Sequence, residues 1–173
     1  METSLHRQLK ALYSADSSQQ EVTVDGYRID AVAGDRLIEI QYGSLGAISQ
    51  KVLNLVENHD VTVVKPLAAR KYLIKRKRKN GKIISKRYSP SKETFFDLFL
   101  DLVHFVDVFP HPRLTLEVLL TEQEEHRVAK KRTRWKGKNY RVEDRLLREV
   151  TARIQLRTTA DLADFLPDGL PAE

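Results

Sequence analysis

Glu21-Val-Thr-Val-Asp-Gly-Tyr-Arg-Ile-Asp-Ala-Val-Ala-Gly-Asp-Arg-Leu-Ile-Glu-Ile-Gln41 is the stretch on which the fold turns. Asp25-Gly26, set between alternating apolar and polar residues, is the strongest short hairpin signal a sequence offers. A second tight turn at Gly34-Asp35 completes a three-stranded meander. The spacing predicts that Val24 pairs with Tyr27 and Ala33 with Arg36. The same counting sets Glu21 across from Asp30 and Asp30 across from Glu39, on one face because side chains alternate with period two. The other face carries Val22, Val24, Tyr27, Ile29, Ala31, Ile38 and Ile40 and packs on a core. The acidic row is left facing outward or into a cleft.

Like charges directly opposite on a sheet destabilise it by roughly 0.2–1 kcal/mol per pair, and by more when half-buried. A divalent cation removes the conflict. Hard carboxylate oxygens suit Mg²⁺, which fills its other positions with water and substrate phosphate, so the implied substrate is a phosphodiester. The ordinary alternative is an alternating strand with a charged outer face.

Tyr27-Arg-Ile-Asp30, eight intervening residues, then Leu37-Ile-Glu39-Ile-Gln41 resembles the core of the PD-(D/E)XK nuclease superfamily. There an acid on one strand and an E-x-K on the next bind metal. Around it the sequence reads as a first helix from Glu2 to Tyr13, with Leu5, Leu9 and Leu12 at helical spacing, then the meander. A helix over 47–58 and an apolar strand Val61-Thr-Val-Val64 follow. The resemblance implies an α/β (α+β) fold with a restriction-endonuclease-like αβββαβ core, similar to that of Holliday-junction resolvases. It implies Asp30 and Glu39 as ligands of Mg²⁺ (or Mn²⁺), with Glu21 or Glu2 completing the acidic cluster. Gln41 stands where the superfamily carries lysine, an E-x-Q ending similar to that of CoiA-like competence proteins. Lys51, on the following helix, can reach back to substitute for the missing charge or can be a solvated helix lysine.

Composition points to a polyanionic partner. The 173 residues carry a net charge of +6. From Arg70 to Lys92 there are eleven bases, and Asp and Glu are absent until Glu93. Asn80-Gly81 is a type I′ signal within this segment, so Lys75, Arg76, Lys77, Arg78, Lys79, Lys82, Lys86 and Arg87 form a protruding basic hairpin suited to a phosphate backbone. A lysine-protected edge hairpin and a localisation-like basic tract are the competing readings. A second basic stretch, Arg127 to Arg141, includes Trp135 and Tyr140, which can stack on bases or anchor a loop.

The remainder reads as scaffold. Ser89 or Ser91 caps a helix over 92–106, which Pro110 and Pro112 end. Leu114-Thr-Leu-Glu-Val-Leu-Leu120 is a strand or a short buried helix. His104 and His111 have no partner at metal-ligand spacing. Residues 142–154 read as a helix with Leu146, Leu147, Val150 and Ile154 on one face, and Thr158-Thr159 caps a short helix over 160–166. The pair resembles the first part of a winged helix-turn-helix or forms a plain helical hairpin. The expected organisation is a nuclease-like domain with its hairpin over 1–90, an extension over 91–141 and a small mostly helical C-terminal region over 142–173. Nearly the whole chain is similar to a group of uncharacterised bacterial proteins of this layout.

No cysteine is present, which excludes disulfides, thiolate chemistry and zinc fingers and fits a reducing cytoplasm. No apolar run reaches membrane-spanning length and no Gly-rich phosphate loop occurs. The resulting expectation is a cytoplasmic, metal-dependent endonuclease acting on DNA, with a homodimer as one possible assembly and no membrane contact. The alternatives are a non-cleaving nuclease-fold regulator or adaptor, and binding of RNA or another polyanion through the hairpin alone.

Overall fold

The computed structural model describes residues 2–130 and 139–164. Helix α1 (Ser4–Tyr13) starts where the Thr3 hydroxyl accepts from the His6 N–H, and it buries Leu5 and Leu9 while leaving Leu12 exposed. The meander follows as β1 (Gln20–Val24), β2 (Tyr27–Ala33) and β3 (Arg36–Ile40). Val24 pairs with Tyr27 and Ala33 with Arg36, the register read from the turns. Asp25 and Gly26 both have positive φ, as a type I′ turn requires. A 3₁₀ turn and helix α2 (Ser49–Val56) then carry the chain over the sheet to β4 (Asp60–Arg76), which runs parallel to β3.

β4 is far longer than the strand expected over 61–64. Its first residues pair with β3, its last with β5 (Ile83–Tyr88), and its other edge pairs along almost its whole length with β6 (Leu114–Ala129). β7 (Tyr140–Leu156) lies antiparallel beside β6, and the short helix α4 (Thr159–Ala163) follows. The result is one mixed sheet of seven strands in the order β1-β2-β3-β4-β6-β7, with β5 beside the outer half of β4. The α1 side is packed by Leu5 and Leu9 against Ala31, Ile38, Ile40, Val64 and Leu119. The opposite side is covered by α2 and by the segment 95–109, with Leu55, Leu98 and Phe105 meeting Val63, Leu116 and Val118. No helix among the described residues is long and apolar enough to cross a membrane.

Four expectations are corrected. The helix over 142–154 is strand β7, so no helix pair and no partial winged helix-turn-helix forms there; its Leu and Val side chains find cross-strand partners on β6, as in Leu147 with Gln123 and Ile154 with Val118. Among its described residues the C-terminal region is therefore mostly strand, with one short helix. The helix over 92–106 contracts to a 3₁₀ turn (Phe95–Asp97) and α3 (Leu98–Leu102), because Thr94 and Asp97 form the capping box, while Ser89 donates its N–H to Lys71 in the hairpin. The loop at Asn80-Gly81 is not a two-residue I′ turn. Lys77 donates to the Lys82 carbonyl and Gly81 to that of Arg78, so four residues close it. Gly81 serves close approach there: a Cβ would lie 2.6 Å from Arg78 Cγ.

The fourth concerns the meander's two faces, since both are covered. Glu39 and Leu37 face α2, so Glu39 is buried. Glu21 has φ +56° and falls out of the ladder between the Gln20–Ala31 and Val22–Ile29 pairs. Lys131, Arg132, Arg134, Trp135, Lys136 and Lys138, and the end of the helix expected over 160–166, lie outside the described residues.

Candidate active site

Glu39, the penultimate residue of β3, is 5% exposed, and its Oε1 lies 2.6 Å from Lys51 Nζ. Lys51 projects from the first turn of α2 and also donates to the Arg28 carbonyl at 2.5 Å. Burial pushes the Glu39 carboxyl up; the Lys51 ammonium opposes this, and the neighbouring Asp30 charge adds to the rise.

Asp30 sits where β2 and β3 stop pairing. Its Oδ2 accepts the Ile40 N–H at 2.8 Å and its Oδ1 lies 2.8 Å from His6 Nε2 of α1. Burial opposes ionisation of Asp30, but these partners outweigh it and hold the carboxyl below the usual range. The same hydrogen bond to Asp30 raises His6 above its ordinary value, against desolvation.

Glu2, whose Oε1 lies 4.0 Å from His6 Nε2, and Glu21 are the other two acids. Both close on the ammonium of Lys10, a lysine only 2% exposed, and Glu21 also pairs with Arg28. Among the described residues, Glu2, His6 and Glu21 have ligand atoms within 4.8 Å of one another. Lys10, with Arg28 at Glu21, already supplies these two acids with cations. Glu2, His6, Glu21 and Arg28 line an open cleft of about 450 Å³ together with Ile40, Tyr42 and Arg145.

Gln41 turns away from the acids: its Nε2 donates to the Ser44 carbonyl at 2.7 Å, fixing the loop after β3. Asp30 and Glu39 are therefore brought together with Lys51, while Glu21 and Gln41 are engaged elsewhere. Asp30 and Glu39 supply two carboxylates near enough for the charge of Asp30 to disfavour that of Glu39, a donor type suited to a hard divalent cation, with Asp30 held from α1 by His6 and Glu39 from α2 by Lys51.

The basic hairpin projects its charges on both faces. Lys75 and Arg76 lie on β4, Lys86 and Arg87 on β5, and Lys77, Arg78, Lys79 and Lys82 at the exposed tip. Lys75 reaches across to Asn139 Oδ1 at 3.0 Å, which ties the hairpin to the end of β7.

His6, Lys10, Arg28, Tyr42 and Arg145 were not singled out from the sequence. Glu2, His6 and Lys10 are spaced by four, on one helix face, which is the signal that would have found two of them. Arg145 lay hidden in a segment read as helix.

The family model described as Domain of unknown function (DUF8091) matches residues 3–157, from the cap of α1 to the end of β7. An uncharacterised protein of Treponema pallidum (strain Nichols) is 33% identical over 171 residues, which cover 98% of this chain and 68% of that protein. No solved structure matches. With the match extending over every strand of the sheet, the chain belongs to the family described as Domain of unknown function (DUF8091).

Proposed function

We propose that the chain has a nuclease fold of the PD-(D/E)XK type and hydrolyses DNA phosphodiester bonds with a divalent cation. The observation that carries this reading is the reach of Lys51 to Glu39, 2.6 Å, beside Asp30. It supplies next to the acidic pair the positive charge that Gln41 lacks. The order α1-β1-β2-β3-α2-β4, with β4 parallel to β3, supports the same reading.

Asp30 and Glu39 would hold the ion. Mg²⁺ or Mn²⁺ bound there supplies a water of lowered pKa and a Lewis acid for the phosphate. The Ile40 N–H and His6 orient Asp30, so its carboxylate is fixed before substrate arrives. Lys51 sets its ammonium beside Glu39, where it offsets charge on a phosphate oxygen. The basic hairpin holds the polyanion, with an affinity that falls as salt rises. A cytoplasmic location goes with this reading.

A second reading has its own observation. Each acid already has a basic side chain beside it: Lys51 for Glu39, His6 for Asp30, Lys10 for Glu2 and Glu21. That arrangement favours a DNA-binding adaptor that retains the fold without cleaving. Cleavage of labelled linear, nicked, branched and single-stranded DNA in Mg²⁺ or Mn²⁺ separates the two. Cutting by wild type that is lost in Asp30→Ala, Glu39→Ala and Lys51→Ala is the expected result. Salt-sensitive binding without cutting of any substrate overturns the nuclease reading in favour of the adaptor.

A further inference from the structure

The outer half of the sheet, β5-β4-β6-β7, has two different faces. Cross-strand partners share a face, so the strand registers assign each side chain. Arg87, Leu73, Glu125 and Arg145 form one row across the four strands, and Ser85, Lys75 and Arg127 form the next. These rows lie on the α1 side, because Arg145 also lines the acidic cleft. Lys86 and Ile74, paired with each other, face the opposite way, as do Arg76 and His126.

On the α1 side a groove of about 340 Å³ is bounded by Lys75, Arg87 and Arg127, with Leu73, Ile84 and Tyr140 supplying apolar surface. Ile84 is 53% exposed and stands at the irregularity between the Lys75–Ser85 and Arg76–Ile83 pairs. An exposed isoleucine ringed by cations gains nothing from a duplex, whose base faces are hidden. It does gain from unstacked bases. The groove is joined to the acidic cleft by an unbroken set of contacts. Arg127 stacks on Tyr140 and pairs with Glu125 at 2.6 Å; Glu125 pairs with Arg145 at 2.9 Å; Arg145 lies over Tyr42. Cations alternating with aromatic rings along a groove are what single strands bind, through backbone charge and base stacking together.

We propose that this face, from the groove at Lys75, Arg87 and Arg127 to Arg145 and Tyr42 at the cleft, is a track for single-stranded DNA. The proposal rests on the nucleic-acid part of the functional reading and not on cleavage. It assigns unequal roles to bases that are neighbours in the hairpin. Lys75 and Arg87 contact the strand, and Arg76 and Lys86 do not.

The test is fluorescence anisotropy of the full chain with a labelled single-stranded oligonucleotide, a duplex of the same sequence and an RNA strand, in EDTA so that no cutting intervenes. The double variant Lys75→Ala/Arg87→Ala is expected to bind single-stranded DNA at least tenfold more weakly. Its log affinity against log salt flattens by about 1.4, at roughly 0.7 per lost single-strand phosphate contact. Arg76→Ala/Lys86→Ala removes the same charge from the same hairpin and is expected to weaken binding severalfold less than Lys75→Ala/Arg87→Ala, through long-range charge alone. Ile84→Ser, on an exposed strand position, weakens single-strand binding while leaving duplex binding unchanged. Equal losses in the two double variants, tighter binding of duplex or RNA, or no binding by wild type each overturn the proposal. Because no arm depends on turnover, an inactive but strand-binding protein refutes the nuclease reading and leaves the track standing.

Discussion

The phenolic hydroxyl of Tyr13, at the end of α1, donates to Glu117 Oε1 at 2.6 Å across 104 residues of chain. Glu117 is 2% exposed and has Arg153 at 3.2 Å and Gln155 at 2.9 Å as its other partners. The four side chains fasten the helix to β6 and β7. Burial and the Glu117 charge both push the Tyr13 phenol up, so it stays neutral and donating at any ordinary pH. Tyr13→Phe keeps the ring and leaves a buried carboxylate oxygen short of a donor. The expected loss is about 1–3 kcal/mol in urea unfolding. An unchanged midpoint would mean that Arg153 and Gln155 suffice.

Glu125 sets an acid limit on the sheet. Burial opposes its charge, but hydrogen bonds from Arg127 and Arg145 outweigh that and hold the carboxyl below the usual range. A depressed carboxyl stabilises the fold above its unfolded value and loses that contribution as pH falls through the folded one. Wild type should therefore lose thermal stability below the ordinary glutamate range, near pH 4.5. Glu125→Gln should show a lower Tm at pH 7 and a shallower decline toward acid. Parallel Tm curves for the two proteins would contradict the assignment.

Glu39 has the opposite sign. Its raised carboxyl means that ionisation at neutral pH works against the fold. Glu39→Gln should leave Tm unchanged or higher at pH 7, whereas Lys51→Ala, which strips the buried acid of its cation, should lower it. A clear loss of Tm in Glu39→Gln would show that the Lys51 pair is worth more than the burial it requires.

Thr158 caps α4, accepting from the Asp161 N–H while Asp161 caps the Thr158 N–H. Leu162 of that helix packs against the core on the α2 side. Thr158→Ala is expected to cost about 0.5–2 kcal/mol in denaturant titration. A neutral result would mean that α4 adds nothing to the cooperative unit.

The meander was legible because its turns are short and chemically specific. Asp25-Gly26 and Gly34 fix register within one residue, and register fixes which side chains meet. Lys51 reads in the sequence as a lysine on the helix after β3 that either reaches back or is solvated, and its Nζ lies 2.6 Å from Glu39. β7 was illegible for an equally physical reason. Its ladder to β6 shifts three times, near Thr121, Gln123 and Arg127. Each extra residue resets the alternation, so Leu146, Leu147, Val150 and Ile154 show a helical spacing instead of a period of two. Lys10, between Glu2 and Glu21, escaped notice because a lysine on a helix face is ordinarily solvated.

β4 gives the fold a single stiff member. At ~3.3 Å per residue, its seventeen residues extend over about 55 Å. One end is laced to β3, which carries Glu39, and the other bears the basic hairpin. The strand thus works as a beam supported along one whole side by β6 and loaded at both ends on the other. A ligand that grips the tip pulls on the same piece of backbone that frames the acidic pair. The offset between Ala68 and Arg70 against β6 is a joint in that beam, between the segment paired with β3 and the segment paired with β5.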